Sequence, residues 1–180
     1  MISQPGREAP KPALFEETML PHLDAAYNLA RWLTRNEHDA QDVVQEAYLR
    51  ALRFFDGFRG GDARPWLLAV VRNTALTWLR RKRSSTQVSF DEEIHGSRLE
   101  AATVETKLVA GDRFAELRIC LDLLPTEFRE IVVMREMEEM PYRDIAEAAS
   151  LPIGTVMSRL SRARQRLQDC LAARMKEASK

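Results

Sequence analysis

Cysteine, glycine and histidine are scarce in this chain of 180 residues, at 2, 7 and 3. Cys120 and Cys170 lie 50 residues apart with no CxxC spacing, which suggests neither a disulfide framework nor a zinc site and leaves them as packing residues. His22, His38 and His95 are scattered and read as exposed polar residues, so no metal and no other cofactor is expected. A Gly-rich phosphate loop, a GxSxG turn and an HExxH pair are all missing; the chain carries no enzyme signature. No apolar run approaches the roughly 20 residues that span a bilayer. The stretch from Met1 to Pro12 is polar and Pro-rich, unlike a signal peptide, so the chain is expected in the cytoplasm without membrane insertion. Net charge is lacking too, with 27 basic against 27 acidic residues, and neutrality at first argues against a nucleic-acid binder.

Helix formers are what the chain has in quantity. Ala (22) and Leu (21) outnumber Val plus Ile (16), which do not occur in alternating runs, so an all-α fold of one ordinary or two small domains is expected. Pro65, Pro125 and Pro141 each open a helix-periodic stretch, where a missing N–H is harmless and φ is preset.

Charge placement is more informative than its total. Residues 1–62 carry a net −3, 63–90 +6, 91–116 −4, 117–149 −4 and 150–180 +5. Two concentrated basic segments flank an acidic middle. Between Ser84 and Gly111 large apolar groups are few and Asp91-Glu92-Glu93 adds charge, marking a flexible linker over about 85–111 between domains at about 13–84 and 112–176; a short helix between Leu99 and Leu108 is left open.

In the first domain, Asp39 to Leu52 is helical, with Ala40, Val43, Val44, Ala47 and Ala51 on the core side. Asp39, Asp42 and Glu46 form a stripe within about 60° of one another, with Leu49 beside it and Gln45 further round. A protein-docking face and an ordinary solvated surface both fit that stripe. The helix from Pro65 to about Arg83 begins apolar almost all round and ends in Arg80-Arg81-Lys82-Arg83. Asn73, Thr77 and Arg80 share one face with Thr74 and Arg81 alongside, a polar strip suited to bases and phosphates. Phe54 and Trp66 read as core; Arg59 and the Gly60-Gly61-Asp62 loop are left free to hold an unstacked base.

In the second domain a helix begins at Leu124-Pro125-Thr126 and continues through Met134. Then a short helix with Tyr142, Ile145, Ala146 and Ala149 inward is followed by Leu151-Pro152-Ile153-Gly154 and a second helix whose buried stripe is Ile153, Val156, Leu160, Ala163 and Leu167. This is a helix-turn-helix layout. Outward lie Ser158, Ser161, Arg162 and Gln165, flanked by Arg159 and Arg166 on one side and Arg164 on the other.

On these residues the chain resembles the extracytoplasmic-function (group 4) bacterial sigma factors of the sigma-70 family, from about Phe15 to Leu171. The resemblance rests on Asp39-Ala40-Gln41-Asp42-Val43-Val44-Gln45-Glu46-Ala47, Phe58-Arg59-Gly60 with Trp66-Leu67, Arg72-Asn73-Thr74-Ala75, Leu124-Pro125-Thr126-Glu127-Phe128-Arg129, Asp144-Ile145-Ala146, and Gly154-Thr155-Val156-Met157-Ser158-Arg159-Leu160 with Arg162-Ala163-Arg164. It implies sigma region 2 followed by region 4, with no region 1.1 and the acidic linker in place of a full region 3. Asp39, Asp42, Gln45, Glu46 and Leu49 would dock on core RNA polymerase, mainly its β′ subunit. The 54–64 loop with Arg59, together with Asn73, Thr77, Arg80 and Arg81, would capture the melting −10 element. Thr155, Ser158, Arg159, Ser161, Arg162, Arg164 and Gln165 would read the −35 element of promoter DNA. Two departures stand out: Pro141 replaces a frequent capping serine, and Met157 replaces a frequent basic residue, which bears on −35 preference.

The expectation is therefore an alternative sigma factor, not an enzyme, bound to the polymerase β′ and β subunits and to promoters, controlled by an anti-sigma factor and suited to a stress response. The competing reading is a free-standing helix-turn-helix repressor or activator whose first domain dimerises; it predicts duplex binding without polymerase.

Overall fold

Asn36 shows how locally the helices are set: its side-chain oxygen accepts from the Asp39 N–H (2.9 Å) and caps the helix that follows, while Arg35 before it adopts a left-handed φ of 61° and closes the one before. In the computed structural model, which describes residues 11–88 and 110–178, the elements run α1 (Lys11–Met19), a 3-10 turn, α2 (Leu23–Thr34), α3 (Glu37–Phe54), a second 3-10 turn and α4 (Ala63–Val88). They continue with α5 (Ala110–Leu123), α6 (Thr126–Val132), α7 (Tyr142–Ala149) and α8 (Ile153–Ala178). The described residues contain no strand. The expected linker, and the helix left open between Leu99 and Leu108, lie almost wholly outside them.

Helices α2, α3 and α4 pack on one another around Leu29, Leu33, Val43, Ala47, Leu67, Leu68 and Val71, each fully buried. At about 1.5–3 kcal/mol for each large apolar side chain taken from water, that cluster is the main stabilising term of the first domain. Phe15 of α1 closes it, edge-on to Phe55 (5.3 Å) and Tyr48 (6.2 Å). The Tyr48 hydroxyl donates to the Met19 carbonyl (2.9 Å); burial, then the Asp24 charge, push its pKa up to about 12. Phe54 does not join the core as expected: it is 61% exposed, because the turn to a 3-10 conformation after it brings Phe55 inward instead.

The second domain is built on Ile131, Val133, Met134, Ile145, Val156, Leu160 and Ala163. Pro125 and Pro141 sit at the N-caps of α6 and α7, as their positions suggested, and Pro65 falls in the first turn of α4. The helix expected to continue from Thr126 through Met134 instead widens at 133–137 into a π-turn, in which the Glu138 N–H donates to the Val133 carbonyl five residues back (3.0 Å). Ile153, placed in the buried stripe of α8, is 50% exposed: it is the first residue of the helix, and the buried stripe begins one turn later at Val156.

Cys120 and Cys170 are joined by a disulfide linking α5 to α8, with Cα atoms 5.8 Å apart. That corrects the reading of two separate packing residues, since the packing of α5 against α8 brings together positions whose spacing along the chain says nothing. Arg129, 1% exposed, is an unexpected interior cation. Its guanidinium donates to the Asp122 carbonyl (3.2 Å), its Nε has no partner, and burial plus the Arg35 charge bring its pKa down to about 10 against the opposing pull of Asp122.

The two domains pack through α4 against α7 and α2 against α6. Charged pairs cross that boundary: Arg72 grips Glu130 with two bonds (2.9 and 3.0 Å), and Glu138 accepts from Arg64 and Asn28 (2.6 Å each). No helix among the described residues is long and apolar enough to cross a membrane, and no cluster of three or more His, Cys, Asp or Glu there is placed to hold a metal.

Candidate nucleic-acid interface

Helix α3 presents Asp42, Gln45, Glu46 and Leu49 along one outward face; Leu49, at 60% exposed, is an apolar group with no packing reason to be there. Glu46 is bridged to Arg50 one turn on (2.7 Å). Asp39 departs from the expected stripe: it is 9% exposed and accepts from Lys82 Nζ (2.5 Å), so it ties the start of α3 to α4 rather than facing outward. Beside this face lies a shallow groove of about 490 Å³ lined by Leu20, Leu23, Tyr27, Val44, Gln45 and Tyr48. Leu20 and Leu23 were missed in the sequence, where Leu20-Pro21-His22-Leu23 has no helical period to separate inward from outward.

The front of α4 and the loop before it form the second feature. Gly60 and Gly61 have φ values of 81° and 88°, a left-handed pair that a side chain would strain, and the Arg64 N–H is capped by Asp62 Oδ1 (3.0 Å). Phe58 stacks on Phe55 (5.9 Å) and leans on Trp66 (5.6 Å), while Arg59 is exposed. Further along, Asn73, Arg80 and Arg81 are exposed. Asn73 Oδ1 accepts from Arg72 (3.2 Å), and Thr77, half-buried, bonds back to the Asn73 carbonyl (2.8 Å). Thr74, expected alongside this strip, is buried and bonds the Val70 carbonyl (2.8 Å).

In α7–α8, Ser150 takes a left-handed φ of 54° to end α7, and Thr155 and Val156 donate backbone N–H groups to the Pro152 carbonyl, starting α8 one turn on. Met157, Ser158, Ser161, Arg162 and Gln165 are exposed on α8, with Thr155 half-buried. Arg162 has no ion-pair partner among the described residues, and Gln165 bonds Asp169 (3.0 Å). The flanking arginines are more committed than the helical wheel implied. Arg159 lies 3.8 Å from the buried Glu130, Arg166 lies 5.0 Å over the Phe128 ring, and Arg164 donates to Glu136 (2.5 and 3.1 Å), a hydrogen bond that raises its pKa. A helix of 26 residues thus shows serines, an amide, a methionine and one open guanidinium along its first half.

Residues 19–85 match the sigma-70 region 2 family and 114–167 the sigma-70 region 4 family. The ECF RNA polymerase sigma factor SigE of Mycolicibacterium smegmatis is 32% identical over 174 residues, covering 97% of this chain and 67% of that one. The chain belongs to the extracytoplasmic-function sigma factors. The ECF RNA polymerase sigma-E factor of Haemophilus influenzae is 33% identical over 149 residues, 78% of each chain. Among solved structures, the sigma factor RpoE of Bartonella quintana, in complex with the anti-sigma factor NepR, matches with a TM-score of 0.71 at 27% identity over 88% of this chain and 96% of that one. The chain is thus an alternative sigma factor of all-α architecture and, like its family, a transcription initiation factor rather than an enzyme.

Proposed function

We propose that this sigma factor binds core RNA polymerase through α3, opens the −10 element with the 54–64 loop and α4, and reads the −35 element with α8. The observation that supports this best is the division of exposed chemistry. An outward face on α3 combines carboxylates with Leu49, while the two basic helices present their exposed polar groups elsewhere.

In this reading Asp42, Gln45, Glu46 and Leu49 meet the β′ subunit, and Asp39 supports them through Lys82. Arg59, Asn73, Thr77, Arg80 and Arg81 meet the −10 strand, with amide and guanidinium groups for bases and phosphates. Thr155, Ser158, Ser161, Arg162 and Gln165 enter the major groove, with Arg159 and Arg164 at its edge. The domain limits are about 13–84 and 112–176, and the acidic charge of 85–111 between them suits a basic channel of the polymerase such as the one for exiting RNA. Control by an anti-sigma factor is supported by the complex of the Bartonella quintana relative, and in this reading it acts in the cytoplasm.

Run-off transcription with reconstituted core enzyme tests the proposal. Promoter-dependent transcripts that appear only with both proteins support it. Duplex binding without core association, and no such transcripts across a panel of candidate promoters, would point to a free-standing regulator instead.

A further inference from the structure

The first two turns of α8 carry no long cation free to reach a base. Ile153, Gly154, Met157 and Ser158 are exposed there, and Thr155 is half-buried. Arg159 is drawn to the buried Glu130 at 3.8 Å, and the Ser158 hydroxyl donates to the Thr155 carbonyl (3.0 Å). What remains is apolar. Ile153 and Met157, 50% and 52% exposed, stand one turn apart on the same side of the helix. A Cβ placed on Gly154 would meet nothing within 4 Å, so the described residues leave the outer side of this turn uncovered.

Packing gives the pair no reason to be there, since the core row beneath begins at Val156 and Leu160. A use appears when the helix lies in the major groove, where the N-terminal residues of a recognition helix approach base edges. The thymine 5-methyl is the one methyl group that a base edge presents in that groove. A methionine is unbranched and adaptable enough to follow it. A guanine or cytosine edge at the same place would set its donors and acceptors against side chains that form no hydrogen bond, which lowers affinity for the wrong base.

We propose that Ile153 and Met157 form a thymine-methyl reader at the start of α8, giving this sigma factor a −35 preference for an A·T pair beside the base that Arg162 contacts. The inference rests on the assignment of α8 to the −35 element and adds a pair of side chains which that assignment leaves out. Met157 precedes Arg162 by five residues, about 7.5 Å along the helix axis. With base pairs about 3.4 Å apart, the thymine falls within about two base pairs of the Arg162 contact.

The test uses holoenzyme reconstituted with the full chain, on promoter duplexes selected from a pool randomised at −35. Each thymine of the selected site is then replaced in turn by deoxyuridine, which removes only the 5-methyl group. The Arg162 contact is located as the position whose discrimination Arg162→Ala abolishes. One deoxyuridine within about two base pairs of it is expected to weaken wild-type binding about threefold to fourfold, the worth of one buried methyl group. In Met157→Ala the same replacement should change binding by less than about 1.5-fold, and Ile153→Ala should reduce the effect part-way. Met157→Gln, which keeps the length and puts an amide at the apolar end, should behave as Met157→Ala does. A selected site with no A·T pair in that window contradicts the reader. So does a deoxyuridine effect that is nil at every thymine, or equal in wild type and Met157→Ala. In those cases a −35 order that Arg162→Ala still changes leaves the α8 assignment standing. If holoenzyme selects no −35 sequence at all, the assignment fails and the reader with it.

Discussion

Helices α4 and α8 are both 26 residues long and both carry clustered arginines, yet they deploy them in opposite ways. In α4 the arginines near the start, Arg64 and Arg72, are held by glutamates of the second domain, and the open cations lie at its far end, at Arg80 and Arg81. In α8 the committed arginines stand on both sides of the open one: Arg159 faces Glu130, Arg164 holds Glu136, and Arg174 is paired with Glu116, leaving Arg162. Four glutamates of the acidic middle, Glu116, Glu130, Glu136 and Glu138, thus pair with arginines of α4 and α8. A net charge of zero sums over paired and open charges alike and does not measure what a phosphate would meet.

The comparison can be broken at several strengths. The largest effect is expected in the apolar rows beneath these helices. Leu67→Ala in α4 and Leu160→Ala in α8 each remove a fully buried side chain and should lower unfolding free energy by about 2–5 kcal/mol in urea titrations. Reducing the Cys120–Cys170 disulfide comes next. It closes a loop of 50 residues onto α8, so its loss should cost about 2–4 kcal/mol, seen as faster hydrogen exchange in α5 and α8 with α2, α3 and α4 unchanged.

At the DNA surface, Arg162→Ala should lose about 1–3 kcal/mol of −35 discrimination in holoenzyme binding to promoter variants. Arg164→Ala, breaking an exposed pair with Glu136, should change it by less than about 1 kcal/mol. On α3, Asp42→Arg should weaken core association at least about tenfold through charge reversal at a half-buried site on the outward face. Asp39→Asn should instead loosen the contact between α3 and α4 and weaken core affinity by less than Asp42→Arg does, measurable by titrating labelled core enzyme.

The all-α class, the buried row Ala40, Val43, Val44, Ala47 and Ala51, and the helix-turn-helix were legible because periodicity and proline placement are local properties. Phe54 was misplaced because a one-residue change at a helix end rotates a side chain by about 100°; Asp39, inside α3, was misplaced because Lys82 of α4 reaches it, a contact that no helical wheel records. The disulfide, the buried Arg129 and the pairs at Glu130 and Glu138 were not legible at all. Each joins residues far apart in the chain, and no local spacing records which helices will meet. The candidate site was readable as a set of polar positions; which of them are already paired required the packed structure.

The division of labour between α4 and α8 is tested most directly by following promoter occupancy and strand opening separately in reconstituted holoenzyme, with promoter sets varied at −35 or at −10. Arg162→Ala should reorder the −35 variants at the binding step and leave the opening rate of bound complexes unchanged. Asn73→Ala should slow opening and leave −35 order intact. If both substitutions act on the same step, or neither moves its own element, the assignment of the two helices is wrong.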